Sequence, residues 1–329
     1  MEKAGFYIKM DNDKVQCLLC PHTCEIPVGE KGRCKVRVNE KGELILKNYG
    51  VITSMAIDPV EKKPLYHFYP GTRILSLGTY SCNFTCKHCQ NWQISQEKPE
   101  VVTSYSPKEV ADLARDKNVI GVAYTYSEPS IWFEYVLKTS QVVKSNGMKN
   151  VLVTNGFINK KPLKELIPYI DGINIDLKAY NPDFYQRICG GKLKPVLENI
   201  KYLRDKVHIE ITTLLIPGLN DSTEELEDMF QWLNSLDPDI PLHITRYFPR
   251  YRLNLPPTSI DELKEAYDLA KRYLNYVYLG NINLDQGRDT VCPHCGQVVI
   301  ERNIRVINRI KDGRCPWCGQ EIKGEFRNK

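Results

Sequence analysis

The sequence predicts an α/β fold, a partial (β/α)6 barrel carrying a Cys-rich piece at each end. Three observations predict it. Between about residue 70 and residue 285, short apolar runs alternate with helical patterns, which implies parallel strands with helices outside them. Polar residues gather at the ends of the apolar runs. Eleven of the twelve cysteines fall into three compact groups, one inside this alternation and one on each flank.

Residues 1–70 form a Cys-containing front piece with Gly29, Gly32 and Gly42 at expected turns. The core, 71–285, opens with the strand "TRILSLGT" (72–79). It continues through "VIGVAYTY" (119–126), "NVLVTN" (150–155), "GINIDLK" (172–178), "VHIEITTLLI" (207–216) and "PLHITRYF" (241–248). A "YVYLG" run at 276–280 is a candidate extra strand. The helical patterns between them include "SPKEVADLARDK", "SEPSIWFEYVLKTSQVVKSNG", "KPLKELIPY", "LKPVLENIKYLRDK" and "STEELEDMFQWLNSL". Several begin with a capping Ser or an early Pro, and one ends at Gly147. Residues 286–329 form the second Cys-containing flank. No internal repeat beyond the strand–helix units and no low-complexity segment is present.

Side chains alternate across a strand, so Asn174, Asp176 and Lys178 share one face and Ile173, Ile175 and Leu177 the other. His243, Thr245 and Tyr247 form a second polar row, and Tyr124, Tyr126 and Glu128 a third. In parallel barrels the functional mouth lies at the C-terminal ends of the strands. Cys82, Cys86 and Cys89 follow the first strand, Glu128 the second, Asn155 ends the third and Lys178 the fourth. The polar groups converge on one rim.

Bulk composition bounds the reading. With 329 residues, 42% apolar and 26% charged, the chain is an ordinary globular protein with one large domain and small additions. No apolar run approaches the roughly 20 residues of a membrane helix, and the start has no signal-like core, so a cytoplasmic location is expected. Net charge is +5, and residues 291–329 hold eight Lys or Arg against four Asp or Glu. That basic tail reads as a solvated surface, and nucleic acid is not an expected partner. Grouped thiols in a reducing compartment point to metals rather than disulfides.

The central group is "SCNFTCKHCQNW" (81–92), a CxxxCxxC spacing with no fourth cysteine nearby. Thiolates hold an iron–sulfur cube one per iron, so three of them leave one iron open for chemistry. The competing reading is a zinc knuckle completed by His88. In the tail, "CPHCG…CPWCG" sets Cys292 and Cys295 against Cys315 and Cys318 across 19 residues. That is a ribbon-type tetrathiolate pattern, closed and therefore structural, with zinc expected and rubredoxin-like iron the competitor. In front, Cys17, Cys20, Cys24 and Cys34 suffice for zinc or an auxiliary iron–sulfur cluster. A closed structural metal is favoured there, with His22 as an alternative ligand. Cys189, in "ICGG", reads as a packed thiol.

The CxxxCxxC loop after a first strand resembles that of the radical S-adenosylmethionine (SAM) superfamily. The resemblance implies a TIM-like radical SAM barrel in which Cys82, Cys86 and Cys89 hold a [4Fe–4S] cluster whose open iron binds SAM. By the same resemblance Glu128 in "YSEP" meets the SAM ammonium, and Asn155 in "VTNGF" the ribose. Asp176 in "DLKAY" would hold the methionyl or ribose end, and Lys178 the carboxylate. Ile216 and Gly218 in "LLIPGLND" approach the adenine, and His243 contacts SAM. His88 stands where the family commonly has an aromatic residue. With the two flanks, the chain resembles the radical SAM component of the AmmeMemoRadiSam system, in the pyruvate formate-lyase activase-like branch. That implies an oxidoreductase-class enzyme, a low-potential donor of flavodoxin or ferredoxin type, and partnership with AMMECR1-domain and Memo-like proteins. Its substrate, a small molecule or a protein, is not defined by the motifs. Two other functions compete: a glycyl-radical activase acting on a protein backbone, and a non-catalytic metalloprotein that carries electrons or binds nucleic acid.

Overall fold

The computed structural model describes residues 2–97 and 102–326. Its centre is one eight-stranded sheet whose strands lie side by side in chain order. They are β1 (Ser54–Pro59), β2 (Arg73–Gly78), β3 (Gly121–Tyr124), β4 (Lys149–Thr154), β5 (Gly172–Asp176), β6 (His208–Leu215), β7 (Leu242–Arg246) and β8 (Val277–Gly280). Strands β2 to β8 are mutually parallel, whereas β1 runs antiparallel to β2. The six expected strands are all present. A seventh parallel strand is the "YVYLG" run, and the antiparallel β1 joins from within the front 70 residues. Among the described residues β1 and β8 are not hydrogen-bonded to each other, so the barrel is open along that seam.

Helices cover the outside because their sequences supply both caps and an apolar stripe. Helix α1 (Pro107–Asp116) starts with a capping box between Ser106 and Glu109 and buries Val110, Ala111 and Ala114. Helix α2 (Phe133–Ser145) ends before Gly147, whose φ of +73° stops the helix at little steric cost. Next come α3 (Lys160–Leu166), α4 (Leu193–Leu203), α5 (Thr223–Leu236) and α6 (Ile260–Ala270), the last with a second capping box, Ser259 with Glu262. The third polar row expected from sequence does not form. β3 ends at Tyr124, Tyr126 takes φ +67°, and the alternation breaks. Tyr124 is buried, its hydroxyl on Asn150 Oδ1 at 3.2 Å.

The front residues form two three-stranded antiparallel sheets and, at Val51–Ile52, pair with Thr103–Ser104; the tail forms another three-stranded sheet from Thr290–Val291, Val298–Arg302 and Val306–Asn308. The lower interior of the barrel is a polar network around Glu210 of β6. This fully buried carboxylate accepts from the backbone N–H of Tyr66 (2.9 Å) and His67 (2.7 Å) and from Nε2 of His208 (3.0 Å) and His243 (2.6 Å). Burial opposes its charge, but the two histidines outweigh burial and hold the carboxyl well below the usual range. The segment carrying Tyr66 and His67 therefore crosses the seam and ties β6 and β7 to the tail. His67 Nδ1–H donates to the Lys323 carbonyl at 2.6 Å, so Nε2 accepts from the Tyr278 hydroxyl at 2.5 Å. Arg302 reinforces the junction, donating to the Tyr66 carbonyl at 2.7 Å.

His67 is neutral by construction, because burial lowers its pKa from 6.5 to about 4. The unfolded chain takes up this proton before the folded one does. The stability it contributes is therefore fully present above pH 6.5 and is lost as pH falls through about 4. The loss amounts to roughly 3 kcal/mol. Denaturant unfolding across that window should show a steeper loss in the wild type than in His67→Gln; equal slopes would contradict the assignment.

Candidate active site

A cleft of about 360 Å³ opens at the C-terminal ends of the parallel strands, within the roughly 300–1,000 Å³ range typical of ligand pockets. The loop after β2 contributes Cys82, Cys86 and Cys89, all of which line it. The loop is held on several sides. Thr85 N–H and Lys87 N–H donate to the carbonyls of Cys189 (2.8 Å) and Ile188 (3.0 Å), in the π-helical turn Tyr185–Cys189. Asn83 donates to the Phe157 carbonyl at 2.9 Å and accepts from Asn155 Nδ2 at 2.8 Å. On the front side, His22 Nε2–H donates to the Asn83 carbonyl (2.8 Å) and the Ser81 hydroxyl to the Cys34 carbonyl (2.6 Å).

The thiols lie among polar neighbours. Cys82 Sγ receives the Phe84 N–H at 3.3 Å, and Asn155 Nδ2 approaches it at 3.8 Å. Cys89 Sγ lies 3.0 Å from Ser95 Oγ. Burial pushes the Cys82 and Cys89 thiols up, so metal binding here releases protons. Cys86 is lowered, first by its contact with Cys189 and also by the Lys178 ammonium. His88 is neutral, since burial takes its pKa down to about 3, and its buried Nδ1 has no partner.

The cleft is also lined by Glu128, Asn155, Asp176 and Lys178. Glu128 is buried, and it accepts from Ser130 N–H (2.9 Å), Thr154 Oγ1–H (2.7 Å) and Asn155 N–H (2.8 Å). Burial nonetheless raises its pKa. Lys178 Nζ pairs with Asp176 at 3.0 Å. Burial disfavours the ammonium, but Asp176 and the thiols of Cys86 and Cys189 overcome it, and its pKa stands well above the ordinary value. The Lys178 loop is itself fastened by Glu225 of α5, which accepts from Tyr180 N–H at 2.9 Å.

Three sequence-derived binding residues lie elsewhere. His243 shares the barrel-facing side of β7 with Thr245, but one pleat deeper, about 7 Å toward the N-terminal end. Thr245 lines the cleft, while His243 is held by Glu210. Ile216 N–H donates to Asn220 Oδ1 (2.7 Å) and Gly218 N–H to the Asp221 carboxylate (2.9 Å), so both serve the turn after β6 and neither lines the cleft. The sequence reading missed Lys63 and Thr212, which do line it, beside Tyr126 of the expected third row. Lys63 bonds Asp58 at 2.9 Å, and Tyr126 donates to the same carboxylate at 2.7 Å. Asp58 belongs to β1, a strand that no parallel-barrel pattern reveals.

In the tail the four sulfurs of Cys292, Cys295, Cys315 and Cys318 lie within 4.8 Å of one another. The Cys292–Cys318 and Cys295–Cys315 separations are both 3.7 Å. Four metal–sulfur bonds of about 2.3 Å in a tetrahedron set sulfurs about 3.8 Å apart, so these thiols fit one ion. Gly296 (φ +73°) and Gly319 (φ +74°) turn each knuckle back so that its N–H reaches the carbonyl of the first cysteine, at 2.9 Å in both. The only other group of this kind among the described residues is Cys86, His88 and Cys189. The zinc-knuckle alternative, Cys82, Cys86, Cys89 and His88, is not such a group: its ligand atoms do not all lie within 4.8 Å of one another.

Residues 77–233 match the profile of the radical SAM superfamily. Over 214 residues the chain is 31% identical to the putative glycyl-radical enzyme activating enzyme MJ1632 of Methanocaldococcus jannaschii, covering 62% of this chain and 79% of that protein. This chain belongs to the radical SAM superfamily. A second relative, the uncharacterized protein MJ0808 of the same organism, is 43% identical and matches 98% of this chain and 99% of its own length. The crystal structure of Streptococcus suis SuiB bound to SAM shares the fold, with a TM-score of 0.52 at 15% identity over 68% of this chain and 53% of that one.

As a radical SAM enzyme the protein uses a [4Fe–4S] cluster and SAM. The donors present suit both: three separated thiols, one of them with N–H groups turned toward it, beside a cleft holding a fixed cation and a buried carboxylate.

The bracing of the cysteine loop can be tested at Gly191. A Cβ added there would sit 2.2 Å from the buried Phe84 ring, next to the turn that receives the loop's N–H groups. Gly191→Ala should cost roughly 1–3 kcal/mol by overpacking. It should also lower the iron retained per chain after anaerobic reconstitution. Unchanged iron content and melting temperature would remove this bracing role.

Proposed function

We propose that the enzyme cleaves SAM reductively in this cleft and uses the product radical to abstract hydrogen from a substrate, with Cys82, Cys86 and Cys89 as cluster ligands. The observation that carries this reading is the joint lining of one cleft by three thiols, the Asp176–Lys178 pair and Glu128. When bound, the cluster supplies one electron that splits SAM into methionine and a 5′-deoxyadenosyl radical. Lys178, held charged, takes the carboxylate of SAM. Glu128 orders the end of β4 through Thr154 and Asn155, and its unshared lone pairs face a ligand ammonium. Asn155 positions the cysteine loop through Asn83, and Asp176 orients Lys178. Thr212 and Thr245 offer hydroxyls to the ribose at the level first expected of His243. The electron comes from a low-potential flavodoxin or ferredoxin.

The tail thiols hold zinc, a closed site that stiffens the junction with the barrel floor. The front motif, the cluster loop, "DLKAY" and the terminal knuckles together support the radical SAM component of the AmmeMemoRadiSam system, acting in the cytoplasm with AMMECR1-domain and Memo-like proteins. The similarity to MJ1632 favours a second reading, in which the substrate is the backbone of a glycyl-radical enzyme. An electron-spin signal on such a partner after incubation would separate the two.

Anaerobic reconstitution with dithionite and SAM should release 5′-deoxyadenosine and methionine, and Cys86→Ala should abolish both. Cys318→Ala should instead lower stability, with cleavage retained by the folded fraction; equal loss of catalysis at unchanged folding would contradict the zinc role. Removing one charge-assisted contact of about 1.5–3 kcal/mol, Lys178→Ala should weaken SAM binding roughly 10- to 100-fold. An unchanged dissociation constant would remove its assignment.

A further inference from the structure

The front cysteines form a second group of four, and its geometry differs from that of the tail. Cys17, Cys20, Cys24 and Cys34 surround an enclosed cavity whose wall is completed by Arg37 and Ile131. All four thiols are free, with Cys17 and Cys34 buried. No three of these sulfurs lie within 4.8 Å of one another, whereas all four tail sulfurs do. A tetrahedral zinc site draws its sulfurs to about 3.8 Å, and the front set stands wider than that. A cube of four irons takes one thiolate per iron, and so spreads four thiolates round a larger body.

Arg37 supplies an independent observation. Its side chain is 1% exposed, and its two terminal nitrogens bind the Glu134 carboxylate at 3.1 and 2.5 Å. That clamp leaves Nε–H buried without a partner in a residue that lines the cavity. A buried donor of this kind calls for an acceptor. The sulfides and thiolates of an anionic cluster are such acceptors, and the Arg33 N–H already reaches Cys24 Sγ at 3.5 Å. His22, the alternative ligand, also lines the cavity, but its Nε2 is engaged with the cluster loop.

We infer that Cys17, Cys20, Cys24 and Cys34 hold a second [4Fe–4S] cluster, closed by four thiolates, with Arg37 Nε–H donating to it. It stands beside the first site, since Cys34 and His22 hydrogen-bond the residues on either side of Cys82. The inference builds on the radical SAM reading only in counting a first cluster at Cys82, Cys86 and Cys89.

The test is metal analysis and spectroscopy of the full chain reconstituted anaerobically with iron and sulfide. The wild type should hold about eight irons, and a Cys82→Ala/Cys86→Ala/Cys89→Ala variant about four, one per remaining front thiolate. In that variant the Mössbauer spectrum should show one closed cluster, and the reduced EPR signal should be unmoved by SAM. Cys17→Ser/Cys34→Ser should lose that signal. Because this pair of changes reaches the front core, Arg37→Lys serves as a milder probe and should shift the reduction potential of the front cluster at unchanged iron content. A triple variant without iron, or with a second zinc in its place, would overturn the inference and leave SAM cleavage by the wild type standing. Four irons in the triple variant with no SAM cleavage by the wild type would sink the radical reading instead.

Discussion

Seven strands running in one direction are the constraint on which the rest of this molecule depends. Parallel strands deliver all their C-terminal ends to the same rim, so residues far apart in sequence reach one cleft without long loops. Cys82, Glu128, Asn155 and Lys178 each follow a different strand, and all line it. The same pleat separates two levels of the barrel interior. Thr212 and Thr245 sit at the cleft, and two residues earlier on the same strands Glu210 and His243 form the floor. Chemistry and architecture thus occupy successive layers of a single face.

A short loop of three cysteines has little structure of its own, and its shape is imposed by its neighbours. The π-helical turn ending at Cys189 takes up its backbone donors, Asn155 fixes Asn83, and the front piece holds both sides of Cys82. Each contact comes from a different element, so the loop is defined by the assembled fold. Supporting shells of this sort give reactive groups their geometry. The close approach of Gly191 to Phe84 has the same origin, because no side chain fits between the turn and the loop.

Much of this was legible in the sequence, because it rests on period and spacing. The six strands, the helix caps at Ser106 and Ser222 and the three thiol groups are local signals, and each stands where expected. What was not legible depends on depth or on partners distant in sequence. His243 reads as a rim residue, since alternation gives its face but not its level. Ile216 and Gly218 look available for a ligand until Asn220 and Asp221 claim their N–H groups. Lys63 and Asp58 carry no motif; they matter because an antiparallel strand lies against β2. Arg37 carries no motif in the sequence, and only the fold buries it against Glu134.

The seam between β1 and β8 has a mechanical consequence. A closed barrel has its girth fixed by a continuous ring of backbone hydrogen bonds. Here the ring is interrupted, and the span is bridged by side chains: Tyr66 meets His243 edge-on at 4.8 Å and leans on Tyr278 at 4.6 Å, while its N–H and that of His67 bond the Glu210 carboxylate. The girth of the barrel is therefore set across this sector by side chains of the floor rather than by a backbone ladder.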